Sequence, residues 1–145
     1  MALTEFSTQA TVEARANSAR VKLWTDKNRD GAPDPATLTQ GFQFATGLIF
    51  EYLTQRYGEA ELSAWTIATA PARVLRISDD LCIWYFSSGN QSQNPLIQAI
   101  YDAAIDSLES IRDYNSSLYG AVEAVDGNSV TEDPESPFDK VYFNV

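Results

Sequence analysis

Histidine is absent from the 145 residues. That removes the commonest general base, the commonest zinc ligand and the partner of every Ser-His or Cys-His nucleophile, so an enzyme is not expected. Cysteine occurs once, as Cys82 in an apolar run. No internal disulfide can form, and a buried, inert thiol in an intracellular product is expected. No apolar run approaches the roughly 20 residues of a membrane span, and no signal peptide or basic targeting arm is recognisable, which predicts a soluble protein without a membrane partner. Positive charge is scarce: ten Lys and Arg stand against twenty Asp and Glu, a net charge of −10, and the basic residues are spread singly from Arg15 to Lys140. Tight, static binding to nucleic acid needs a clustered basic face and is not expected. An acidic surface is still compatible with DNA that must pass close by without sticking.

Apolar residues make up 44% of the chain, with three Trp, seven Tyr and seven Phe, enough for one core in one domain of ordinary size. The pattern is helical. "STQATVEARANSARVKLW" reads as two short helices interrupted at Asn17-Ser18, with Ser7 as an N-cap. "PATLTQGFQFATGLIFEYLTQRYG" puts Leu38, Phe42, Ala45, Leu48, Ile49, Tyr52 and Leu53 on one stripe, a long helix over 35–57 ending at Gly58. "EAELSAWTIATA" is open between a loop and a helical turn, and Glu59 and Glu61 are placed in a loop. Pro71 begins a helix through 88 whose inner face is Val74, Ile77, Leu81 and Trp84/Tyr85. Asn94 and Pro95 are N-cap and first residue of a helix to 113 with Leu96, Ile97, Ile100, Tyr101, Ala104, Ile105, Leu108 and Ile111 inward. The fold class expected is mainly α, a small bundle of three substantial helices and one or two small ones.

From Asn115 the chain becomes rich in Gly, Ser, Asp and Pro, so residues 1–114 are expected to form the helical domain and 115–145 an acidic extended arm. The arm ends "PFDKVYFNV", and Phe138, Val141, Tyr142, Phe143 and Val145 are costly to leave on a free tail. They are expected to bind a neighbouring subunit or partner, by strand addition or aromatic anchoring, with a hairpin back onto "AVEAV" as the alternative.

Among possible sites, "TDKNRDGAPDP" is the most pointed. Calcium takes six to eight oxygens, and Asp26, Asn28 and Asp30 at alternate positions, Gly31 for the turn, the Ala32 carbonyl and Asp34 would supply several. The twelfth position, where a bidentate Glu completes an EF-hand loop, is Thr37. Each residue also has work without a metal: Asp30-Gly31 is a turn, and Asp34-Pro35 starts the long helix. Asp79 and Asp80 are adjacent, diverge on a helix, and read as solvated surface charges rather than a catalytic pair. "CIWYF" reads as core or subunit interface, since a platform for single-stranded nucleic acid needs basic neighbours.

Taken in order, "LWTDKNRDGAPDP", the helix ending "FEYLTQRYG" and the helix ending "LESIRDY" resemble the Mu-type small virion protein family of phage morphogenesis proteins. In that family an "L-T-D-x-[DN]-x-D-G-x-x-D" loop leads to a helix ending "Y-L-x-x-R-Y". The likeness spans Leu23 to Asp113, and extends to the helical head–tail connectors of long-tailed phages. This chain departs from it in "SDDLCIWYFSS", where members carry an Arg-rich helix, and in its acidic tail. The resemblance implies a virion structural protein made in the host cytoplasm. It would form a homo-oligomeric ring, about twelvefold, under the portal protein and would offer a platform to the next neck or tail protein. DNA would pass through its lumen unbound, and no cofactor would be required. A calcium-dependent protein-binding module built on the 26–34 loop is the reading from a different class.

Overall fold

The structure, a computed structural model, describes residues 5–88, 94–114 and 118, and among these it contains six helices and no strand. They are α1 (Gln9–Ala16), α2 (Ser18–Thr25), α3 (Pro35–Tyr57), α4 (Glu59–Ala64), α5 (Ala72–Ser88) and α6 (Pro95–Arg112). The small helices are three rather than one or two. Glu59 and Glu61 fall in the first turn of α4, where negative charge suits the helix N-terminus, and not in a loop.

Local chemistry sets the boundaries. Thr8 and Thr11 form a reciprocal capping box on α1. Asn17 takes a left-handed φ of 104° and its side chain accepts from Arg20 N, so one residue ends α1 and starts α2. Gly58, at φ 82°, closes α3 by donating its N–H to Thr54 O and opens α4. Asn94 caps α6 through Leu96 N, with Pro95 behind it.

Helices α3, α5 and α6 pack mutually, and α1 and α2 lie against α5. The core is built from Ile49 and Leu53 of α3, Val74, Leu81 and Phe86 of α5, and Leu108 and Ile111 of α6. Burying one such side chain contributes about 1.5–3 kcal/mol, so the three stripes carry most of the stability. Phe6, ahead of α1, stacks on Phe50 and touches Trp65, which fastens the N-terminal segment to the far half of α3. Leu62 and Trp65 close the same end. Leu48 and Tyr52 flank the α3 stripe half-buried. Leu96 does not face inward: it is 66% exposed, and the adjacent Ile97, buried in the core, takes the inward position in the first turn of α6. Leu118, beyond the boundary expected at 114, is buried and sits in the core beside Tyr57, whose hydroxyl oxygen accepts from Leu118 N at 3.4 Å.

Candidate functional site

The 26–34 loop joins α2 to α3. Asp26 accepts from Asp30 N and Gly31 N at 3.0 and 2.9 Å, Asn28 from Asp30 N at 3.1 Å, and Asp30 from Ala32 N at 3.0 Å. Arg29 and Gly31 both have positive φ, which winds the backbone amides toward those acceptors. Asp34 occupies the N-cap position of α3 but leaves the cap unmade; its carboxylate reaches back to Lys27 N at 3.0 Å and closes the loop. Burial works against the Asp26 charge, yet the amides of Gly31 and Asp30 outweigh it and hold its pKa below the usual carboxylate value.

Asp26, Asp30 and Asp34 therefore bring one carboxylate oxygen each within 4.8 Å of the others, while Asn28 and Ala32 shape the turn. The three carboxylates retain lone pairs that a hard cation could share. They are fewer than the oxygens calcium takes, and Thr37 stands in the first turns of α3.

At the other end of α3, roughly 33 Å away at 1.5 Å per residue, the other two signature stretches interlock. Arg56 is buried at 4% exposure, donates through Nη1 to Ile111 O at 2.6 Å and lies over the rings of Tyr57 and Tyr114. Its guanidinium thus satisfies a carbonyl of the last turn of α6. Arg112 lies over Tyr52 and pairs with Asp113 at 2.9 Å. "EYLTQRY" and "LESIRD" are two halves of one contact, which the motif signalled only as a pattern.

Asp79 and Asp80 diverge as expected, but they are not solvated surface charges. Asp79 is buried and accepts from Ser7 Oγ at 2.8 Å and Thr11 Oγ1 at 3.0 Å; with the Ser7 proton so committed, Ser78 donates to Ser7 at 2.6 Å. Asp80 takes Arg15 at 2.6 Å. The pair holds α1 onto α5, and burial raises both pKa values despite these donors. Helical spacing could not foresee this, because the partners come from 65 to 72 residues away. The Cys82 thiol is buried as expected, and that burial pushes its pKa up to about 12.

Within "CIWYF", Cys82, Ile83 and Phe86 join the core, while Trp84 and Tyr85 are half-buried. Phe44, Trp84 and Tyr101 form a stacked row across α3, α5 and α6, with centroids 5.8 and 4.2 Å apart. The arm residues Phe138, Val141, Tyr142, Phe143 and Val145, and the hairpin alternative, lie outside the described residues.

Three basic residues close in the sequence meet between α2 and the loop, while Arg15 pairs with Asp80 and Arg56 is buried at the far end of α3. Lys22, Lys27, Arg29 and the carboxylate-bearing Asp26 line one concavity of about 800 Å³ between α2 and the loop, with Ala19, Leu23, Trp24 and Gly31. The corner is mixed in sign, with three cations beside the Asp26 carboxylate, which accepts the amides of Asp30 and Gly31.

No helix among the described residues is long and apolar enough to cross a membrane. No curated protein matches the chain. Residues 6–133 match the model of a protein family described as Bacteriophage Mu, Gp36.

Proposed function

The chain belongs to the Bacteriophage Mu Gp36 family, and on that premise we propose that it is a structural subunit of the phage neck, working by assembly rather than catalysis. Its copies form a ring, about twelvefold, that joins the portal of the filled head to the next neck or tail protein. The arm from 119 to 145 makes the contact with a partner, through Phe138, Val141, Tyr142, Phe143 and Val145. DNA passes through an acidic lumen that repels its phosphates and lets it slide.

One observation carries this reading beyond the family match. Among the described residues, the groups best suited to chemistry are engaged in holding the scaffold together. The loop carboxylates accept backbone amides, Asp79 and Asp80 fasten α1, and the thiol is sealed in the core. What remains for function is surface, with a rigid three-helix frame to present it.

The convergence of Asp26, Asp30 and Asp34 favours a second reading, a calcium-dependent binding module. Truncation after Leu118, which spares its packing beside Tyr57, separates the two. The neck reading expects the truncated protein to lose portal binding and chelator to have no effect. Intact portal binding after truncation, abolished by chelator, would transfer the function to the loop.

A further inference from the structure

We propose that residues 119–126, the first part of the acidic arm, dock in cis along the groove between α5 and α6, leaving the tip at 138–145 to meet a partner. The docking concerns a single chain and does not depend on the ring. The groove, about 470 Å³, is lined by Arg73 and Arg76 of α5 and Ser107 of α6, while Ala72, Ala103 and Ala104 offer small side chains that let a backbone come close. The acid among its lining residues, Asp80, is already engaged, because Arg15 donates to it through Nε and Nη2 at 3.0 and 2.6 Å. Asp102 and Asp106 of α6 are exposed but do not line the groove, and Arg76 is exposed within it.

The occupant follows from where the described chain ends. Leu118 is buried beside Tyr57, and the adjacent Arg56 donates to Ile111 O, one turn of α6, or about 6 Å, beyond Ser107. The arm therefore leaves the domain at the end of α6 that borders the groove. An extended chain covers about 3.3–3.6 Å per residue, so Glu123 can reach about 17 Å from Leu118 and Asp126 about 27 Å. The stretch of α5 from Ala72 to Asp80 is about 12 Å long, well inside that reach.

Charge selects the same occupant. Residues 119–133 carry Glu123, Asp126, Glu132 and Asp133 and no Lys or Arg, which suits two arginines. The family match runs through this stretch to residue 133 and stops short of 138–145, as fits a segment that answers to its own domain and a tip that answers to something else. A short tether holds the arm near the groove at an effective concentration on the order of mM. A DNA phosphate would also suit the arginines, but it has to approach a chain of net charge −10 without that tether.

The experiment is amide hydrogen exchange across 119–126 in the full chain, dilute, at low salt and without portal. One variant carries Arg73→Glu and Arg76→Glu, a second Glu123→Lys and Asp126→Lys, and a third all four changes. Wild type should show protection in this stretch, each double variant should exchange about tenfold faster, and the fourfold variant should recover protection because the pairing is restored with its signs exchanged. Melting temperatures near wild type confirm folding; Arg73 is half-buried, so Arg76→Glu alone, at an exposed position, repeats the test without it. An unprotected wild-type stretch, or protection that ignores the reversals, overturns the docking and leaves the neck reading in place. Protection that disappears on dilution would assign the groove to a neighbour's arm and overturn docking in cis. Weaker DNA binding by Arg76→Glu with exchange at 119–126 unchanged would assign the groove to DNA and overturn it as well.

Discussion

Gly41 lies on the buried side of α3 where α5 crosses it, and replacing it with alanine tests that packing directly. A Cβ at Gly41 would sit 2.3 Å from Phe86 Cε1, 2.6 Å from Cζ and 3.2 Å from Cδ1. Carbon atoms pack at about 3.5–4.0 Å, so the ring or the helix must move by roughly 1 Å or more. The ring has little room: Phe86 is 2% exposed and stands edge-on to both Phe42 and Tyr85. The Cys82 thiol also approaches Gly41 O at 3.6 Å, so a shift of α3 disturbs a second contact. Helix propensity alone would make Gly→Ala stabilising by about 1 kcal/mol, and overpacking costs about 1–3 kcal/mol. With an overlap this deep the upper part of that range applies, and the net expectation is a loss of about 1–2 kcal/mol, or roughly 2–8 °C in Tm. Gly47 is the control, on the same helix, where an added Cβ would meet nothing within 4 Å. Gly47→Ala should be neutral or stabilising by up to about 1 kcal/mol. Urea unfolding of the two variants, with and without Phe86→Leu, reads the difference, and Phe86→Leu should offset part of the Gly41→Ala loss. Equal stabilisation by both alanines would refute the described crossing of α3 and α5.

Asp79 makes stability depend on pH. Its folded pKa lies above the ordinary carboxylate value of 3.8, as does that of Asp80, so between 3.8 and the raised folded values the native state holds more protons than the unfolded chain. Stability should therefore fall as pH rises through that window, and Asp79→Asn should reduce the slope, measured by urea midpoints at successive pH values; an unchanged slope would contradict the clasp. Asp26 and Asp113 are held low and act in the opposite sense, losing their contribution as pH falls below 3.8. Asp34→Ala removes the acceptor for Lys27 N and should cost about 1 kcal/mol in thermal or urea unfolding. The same variant should abolish any rise in Tm that calcium produces in wild type, and a calcium effect that survives it would exclude the loop as the site.

Periodicity and punctuation made most of the fold legible. The α3 stripe, the stop at Gly58, the break at Asn17 and the Asn94-Pro95 start are local signals, and each is realised by a hydrogen bond or a φ value close in sequence. What escaped is what depends on contacts between distant segments. Asp79 reads as a surface acid until Ser7 and Thr11 are brought to it. Leu96 reads as core until Ile97 is seen to take the inward position of that turn alone. Lys22, Lys27 and Arg29 give no sign of sharing one hollow with Asp26 until α2 and the loop are seen to wrap around it. Arg56 is the instructive case, because the motif marked it without showing that its guanidinium satisfies the last turn of α6.

Negative-stain imaging of the purified protein, alone and mixed with the portal, addresses the central claim most directly. The account predicts closed rings that seat coaxially on the portal; a strictly monomeric protein that never engages a portal would contradict it.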